Sequence, residues 1–352
     1  MILHVCTFDK FIPPVISLIE EEFSSETHEF WLTGTQKLKQ YPIGKRKNVF
    51  SCKPGLVWQL YAHFKLLIML HRSRKVIIHG LFSPAVVTIL ALCPWILKRC
   101  YWVIWGGDLY QYQKPKVRLQ DRLTEHLRQF IIKRFGHLVT YLPHDIERAR
   151  EWYSAQGEYH DCLMYLSNVV NSGVLKRPRK SQSSGSGLKV LVGNSADPSN
   201  NHIDALKLLL PYKQHNIKVF VPLSYGDKFH AQKVIEQGKA WFGHDNFFPI
   251  VSFMEFDQYL EFLGEMDVAL FFHHRQQAMG NTISLLGLGK TVYMRCDVSQ
   301  WQLFKSLNIR VFDASKFDGS LLDSEEASKN ILRVREFFSR ETLISQYSKV
   351  FS

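Results

Sequence analysis

Short apolar runs recur along this chain. Each meets a polar, glycine-bearing turn and then a stretch with helical spacing. The runs predict strands at Ile2–Cys6, Glu29–Leu32, Asn48–Ser51, Val76–His79, Tyr101–Trp105, Leu138–Tyr141 and Cys162–Leu166. A second series predicts strands at Leu188–Val192, Ile217–Val221, Phe247–Val251, Val268–Phe272, Val292–Met294 and Arg310–Phe312. Between the early strands, Leu56, Val57, Leu60, Tyr61, Phe64, Leu67 and Ile68 repeat with the period of a helix. Strand–helix alternation predicts parallel sheets covered on both faces, in an α/β fold.

The stretch Val76–Leu97 carries no Asp, Glu, Lys or Arg and invites a transmembrane reading, which needs about 20 apolar residues. His79-Gly80, Ser83-Pro84 and Pro94 interrupt it. A strand, a helix with Pro84 in its first turn and a second strand fit better. Residues 171–187 are basic, then Ser/Gly-rich, and read as a linker. Two Rossmann-like domains facing a central cleft are therefore expected: 1–170, and 188–352 beyond the linker. Ligands in such sheets bind past the carboxyl ends of the strands.

Composition adds limits. With 46% hydrophobic and 13% aromatic residues in 352, there is material for two packed cores. Six cysteines without a CxxC pair speak for a reducing compartment and against a disulfide framework. The opening "MILHVCTF" lacks the features of a secretion signal. The net charge of +12 falls as +8 on residues 1–175, +4 on 176–187 and none on 188–352. That excess predicts an anionic partner, nucleic acid or an anionic membrane. Lys114–Phe135 is the expected membrane-facing surface. Its basic residues flank a stripe of Leu119, Leu123, Leu127, Ile131 and Phe135. An ordinary helix with that apolar stripe in the core and a solvated basic face is the rival reading.

Candidate chemistry sits in the turns after strands. In "LVGNSADPSNNHIDAL", Gly193 permits close backbone approach, and Asn194 and Ser195 can bond a ligand. Asp197, Ser199 and Asn200 can cap the next helix; a capped loop with no ligand fits the pattern equally well. In "FFHHRQQAMGNTISLLGLGK", Arg275 suits a phosphate, and Gln276 and Gln277 suit sugar hydroxyls. Gly280-Asn281 opens a helix whose N–H groups suit a diphosphate. In "VIWGGDLY", Asp108 at a strand end is a candidate general base; a helix-capping or turn aspartate is the simpler reading. His79 in "HGLFSP" is either an assisting group or a hydrogen-bonded core histidine. Met254, after the Phe247–Val251 run, packs on a base or in the core. No DxD pair occupies a plausible strand-end loop, so metal-independent catalysis is expected, with no cofactor. Walker A, GxGxxG, HExxH and GxSxG are absent.

The motifs "HGLFSP", "VIWGGDLY", "LVGNSADPSNNHIDAL", "VPLSYGD", "EFDQYLEFL" and "RQQAMG", in this order, resemble the TDP-N-acetylfucosamine:lipid II N-acetylfucosaminyltransferases, grouped with 4-alpha-L-fucosyltransferases. The resemblance implies a GT-B fold and transfer of 4-acetamido-4,6-dideoxy-D-galactose from a dTDP-sugar donor. The implied acceptor is a polyprenyl-diphosphate-linked saccharide of enterobacterial common antigen or a related surface polysaccharide. It implies a peripheral enzyme on the cytoplasmic face of the bacterial inner membrane. It also implies that Gly193, Asn194, Ser195, Asn200, His202, Tyr225, Met254, Arg275, Gln276, Gln277, Gly280 and Asn281 hold the donor, with Asp108 and His79 toward the acceptor. Competing readings are a transferase of another nucleotide sugar for O-antigen or capsule, a two-domain epimerase, and a non-catalytic nucleic-acid-binding protein. The neutral second domain weighs against the last.

Overall fold

The computed structural model describes residues 1–23, 27–34, 38, 41–51, 55–170 and 187–352. The expected linker lies almost wholly outside the described residues. Two compact units emerge: Met1–Ser167 with Arg340–Ser352, and Asn168–Ser339.

The first unit holds a parallel sheet of β1 (Ile2–Thr7), β2 (His28–Thr33), β3 (Val49–Ser51), β4 (Lys75–His79), β5 (Cys100–Val103), β6 (His137–Val139) and β7 (Glu158–His160). Their spatial order is β3-β2-β1-β4-β5-β6-β7. Helices α1 (Ile12–Glu22), α2 (Leu56–Arg72), α3 (Pro84–Leu92), α4 (Leu119–Ile132) and α5 (Pro143–Tyr153) connect the strands. Leu3, Val5, Trp31, Val76, Ile78, Trp102 and Leu138 form the middle of one core. Such continuous apolar strands are what a sheet buried on both faces requires. Val76–Leu97 is strand, helix and 3-10 turn: Ser83 caps α3 through Val86 N–H, with Pro84 in its first turn. Among the described residues, no helix is long and apolar enough to cross a membrane.

The second unit's sheet contains β8 (Leu188–Val192), β9 (Ile217–Pro222), β10 (Phe247–Ile250), β11 (Val268–Phe271), β12 (Thr291–Met294) and β13 (Phe312–Asp313), all parallel. Their order is β10-β9-β8-β11-β12-β13. Its helices are α6 (His202–Leu209), α7 (Lys228–Phe242), α8 (Phe256–Glu265), α9 (Met279–Gly287), α10 (Ser299–Ser306) and α11 (Ser324–Phe337). The strand order reverses between β8 and β11, so the loops after these two strands flank the crevice where open α/β sheets bind ligands.

Two expectations need correction. The seventh strand is Glu158–His160, not Cys162–Leu166. The later run is apolar and buried, but Met164 takes a left-handed backbone (φ 58°) and Tyr165 N–H bonds back to Leu163 C=O, so it turns. The second domain does not run to residue 352. The last helix, α12 (Arg340–Phe351), belongs to the first unit. Arg340 pairs with Glu21 and Glu22 at 2.9 and 2.6 Å, and Arg74 and Lys75 each donate at 2.8 Å to its terminal carbonyls. Tyr347 is buried and donates to Met164 C=O.

Candidate functional site

The loop after β8 explains why Gly193 is glycine. Its φ is 68°, and a Cβ there would lie 2.7 Å from His202 Nε2 and 2.9 Å from Asn200 Oδ1. Asn200 is buried and ties the loop together. Its Oδ1 accepts from Asn194 N–H at 2.9 Å and pairs with His273 Nε2 at 2.8 Å. Its Nδ2 donates to Ser195 Oγ and to Asp197 C=O. Ser195 is likewise buried, so both hold the loop in shape.

The loop after β11 meets the first one through side chains. Gln277 Oε1 accepts from Ser199 Oγ at 2.6 Å, and its Nε2 donates to Asn194 Oδ1 at 3.4 Å. Arg275 donates to Ser199 Oγ at 3.3 Å and lies 3.9 Å from Asp197. Burial works against the Asp197 charge, but the Ser199 hydroxyl and N–H and the Arg275 guanidinium outweigh it and hold the carboxyl below its usual range. Tyr225, half exposed, accepts from Asn194 Nδ2 at 3.2 Å. Asn281, in the first turn of α9, donates to Tyr259 Oη at 2.8 Å. No described side chain caps α9: its N-cap, Ala278, has a left-handed backbone of φ 58° and no side-chain acceptor. Free N–H groups of that first turn therefore stand beside Arg275, Gln276 and Gln277 in sequence, and Gly280 adds no side chain there.

The structure thus joins Gly193, Asn194, Ser195, Asn200, Tyr225, Arg275 and Gln277 in one network at the switch point. His202 enters from beneath. It is buried and its Nδ1 pairs with His230 Nε2 at 3.0 Å, while its Nε2 has no hydrogen-bond partner. Burial pushes His202 and His273 down to about 3, so both are neutral. Gln276 contributes its carbonyl to Arg275 at 3.2 Å. Met254 lies half-buried after β10 and no polar contact ties it to the network. Sequence reasoning undervalued His273, whose neighbour His274 is exposed, and Ser199, read only as a cap. It missed Gln300, whose amide donates to Gln277 C=O and ties α10 to the loop.

Asp108 and His79 take the places that the capping and core readings gave them. Asp108 is fully buried. Its Oδ2 accepts from Leu81 N–H (2.9 Å) and Trp102 Nε1–H (2.7 Å), and its Oδ1 from Trp105 N–H (2.9 Å) and Leu109 N–H (3.0 Å). Four donors engage both oxygens, so this carboxylate fixes the Gly106-Gly107 loop. His79 is equally buried. Trp105 Nε1–H donates to Tyr165 Oη at 2.6 Å, leaving the tyrosine hydrogen for His79 Nδ1 at 2.7 Å. His79 Nε2 then meets His4 Nδ1, and His4 Nε2 meets His28 Nδ1, both at 3.0 Å. The tautomers follow from tryptophan being donor only. Burial pushes His79 down to about 3 and His28 to about 4, and holds His4 well below its usual value.

Arg128, expected on a solvated basic face, is buried too. It donates to the carbonyls of Leu81 and Asp108 and pairs with Glu125 at 3.4 Å. The stripe of α4 is split: Leu119 and Leu123 are exposed, while Ile131 is buried, as is Phe135 beyond the helix.

Residues 16–331 match the family model described as 4-alpha-L-fucosyltransferase, glycosyl transferase group 56. Among solved structures, HepE of Anabaena in complex with UDP is similar at 10% identity, with 99% of each chain covered and a TM-score of 0.67. Sucrose-phosphate synthase of Thermosynechococcus elongatus is similar at 11% identity, covering 99% of this chain and 98% of that one, with a TM-score of 0.69. A glycosyltransferase of Rickettsia africae is similar at 11% identity, covering 99% and 97%, with a TM-score of 0.63. At these identities the likeness is one of fold.

Proposed function

Since the chain belongs to the 4-alpha-L-fucosyltransferase family, glycosyl transferase group 56, we propose that its donor is a dTDP-sugar carrying 4-acetamido-4,6-dideoxy-D-galactose. It is a nucleotide-sugar glycosyltransferase with the GT-B fold. The acceptor in this proposal is a polyprenyl-diphosphate-linked saccharide, as in enterobacterial common antigen synthesis.

The observation that carries the donor reading is the Asn194–Ser199–Arg275–Gln277 network beside the uncapped start of α9. A diphosphate placed there meets helix N–H groups and a guanidinium, and both favour its negative charge more as the glycosidic bond breaks. Arg275 now rests on Ser199 and faces Asp197, so it has a neutral hydroxyl to give up when a phosphate arrives. Asn194 and Gln277 present amides suited to sugar hydroxyls. In this scheme no metal ion is needed to neutralise the leaving diphosphate.

The enzyme is proposed to dock as a peripheral protein on the cytoplasmic face of the inner membrane. The support is a different surface from the one read in the sequence. Val57, Trp58, Leu60, Tyr61, Phe64 and Ile68 of α2 are all exposed, while Ala62, Leu66, Met69 and Leu70 form its buried side. The Trp95 indole donates to His71 at 3.3 Å, which continues the patch past the end of the helix. Arg72 and Lys98 are exposed on the flanks. Aromatic and aliphatic side chains edged by cations suit the interface of an anionic bilayer.

The test is a thermal-shift panel of dTDP, UDP, GDP and duplex DNA, followed by transfer from dTDP-sugars to a polyprenyl-diphosphate disaccharide with and without EDTA. Stabilisation by dTDP and EDTA-resistant transfer are expected. Stabilisation by DNA and by no nucleotide rejects the transferase site; hydrolysis or epimerisation without acceptor points to the epimerase reading.

A further inference from the structure

β6 and β7 form the edge pair of the first unit's sheet. Their parallel register sets His137 opposite Glu158 and Val139 opposite His160. Glu158 and His160 are two residues apart and so project from the same face. His137 joins them there. Its Nδ1 lies 2.8 Å from His160 Nε2 and 3.6 Å from Glu158 Oε2, and His160 Nε2 lies 3.8 Å from the same oxygen. A point equidistant from these three atoms is about 2.0 Å from each, which matches zinc–imidazole and zinc–carboxylate bond lengths of about 2.0–2.2 Å.

We propose that His137, Glu158 and His160 bind one divalent transition-metal ion of the zinc class, with the remaining coordination position open to water. Two imidazoles and a carboxylate are a donor set that zinc takes in three-ligand sites. The three ligand atoms come from two backbone segments in register, so little backbone ordering is needed on binding. Tyr101 stacks on the His137 ring at 3.9 Å and 10°, which fixes the ring plane as outer-shell groups do. The nearby cation, Lys75, is held by Val350 C=O at 2.8 Å and lies 5.0 Å from the Tyr101 ring centre. His160 also lines a surface groove with Asp161, Gln346 and Lys349, which gives the ion a route from solvent. β7 is a three-residue edge strand, and the ion would pin it to β6. All three ligands belong to the first unit, and the donor network belongs to the second. In this proposal the ion's role is to pin β7 to β6, and it takes no part in the proposed transfer.

The experiment uses the full chain stripped with EDTA and dialysed free of it. Isothermal titration with ZnCl2 should show one ion per chain, and zinc should raise the melting temperature. Co²⁺ should give the visible absorption of a four- or five-coordinate nitrogen–oxygen site. His137→Ala with His160→Ala should weaken zinc binding at least tenfold. His144→Ala, which alters a partly buried histidine paired with Glu147, should not. Glu158→Gln removes the charge with little change in shape; it should weaken binding at least tenfold and leave the metal-free melting temperature unchanged. No stoichiometric zinc binding, or undiminished binding by Glu158→Gln and the double variant, overturns the proposal.

Discussion

Gly193 is the residue on which the donor loops depend most directly. Gly193→Ala places a methyl group against His202 and Asn200 at a positive φ, a backbone penalty of about 1–2 kcal/mol before the clash is counted. It should lower the melting temperature and weaken dTDP binding at least tenfold by titration; unchanged affinity would separate this loop from the donor. Arg275→Ala should cost roughly 1.5–3 kcal/mol of dTDP affinity, the worth of a charge-assisted hydrogen bond. Arg275→Lys should recover part of it as a point charge without the fork. Asp108→Asn turns an amide toward N–H donors where a carboxylate accepted four. Loss of the charged acceptor in a buried site should destabilise the chain by about 1–3 kcal/mol. Urea unfolding checks it. A variant with parental stability and no transfer would restore Asp108 as a catalytic base.

Among the elements, α2 departs furthest from the pattern of a packed helix. Its apolar residues recur at helical spacing, yet most of that stripe looks outward and a second, smaller set built around Ala62, Leu66, Met69 and Leu70 meets the core. This exposed stripe is what supports α2 as the proposed docking face. Leu60→Asp with Phe64→Asp should abolish co-sedimentation with anionic liposomes. Both sites are 63–64% exposed, so the melting temperature should hold or rise slightly. If the double variant still sediments, α2 is not the docking face. Leu119→Asp with Leu123→Asp tests the exposed start of α4 in the same assay.

For the whole molecule, the buried histidines set a shared dependence on pH. His4, His28 and His79 in the first unit and His202 and His273 in the second are held neutral in the fold. Unfolded, each takes up a proton below about 6.5. The unfolded state therefore binds more protons below that value, and stability falls as the solution is acidified. His79 alone, with its value near 3, accounts for a loss on the order of 1–2 kcal/mol between pH 6.5 and 5. Thermal unfolding followed from pH 7.5 to 5 should show a steady fall in melting temperature. A flat profile across that window would mean that the histidine chains accept protons in the folded state.

The alternation of apolar runs and turns determined most strands of both parallel sheets, because a strand buried on two faces has to be apolar along its length; the polar edge strand Glu158–His160 escaped it. The loop after Phe271 was legible for a local reason, since Arg275 and Gln277 are poor choices for a plain turn, whereas Gly193 and Asn194 suit a turn as well as a ligand. Burial and pairing at long range were not legible. Asp108 and Arg128 are charged residues in the interior, and only the meeting of β5, α4 and the Leu81 turn supplies the partners that make their burial tolerable. His4, His28 and His79 lie on three different strands and touch only after the sheet assembles. The same holds for the edge cluster, since His137 and Glu158 are neighbours through sheet register and not through sequence. Helical spacing defined the apolar stripe of α2, but which side met the core was settled by the packing of Ala62, Leu66 and Leu70. The return of α12 to the first unit was likewise decided by tertiary contacts, through Glu21, Glu22, Arg74 and Lys75, because an amphipathic helix pattern states that a face must be buried and not against which unit.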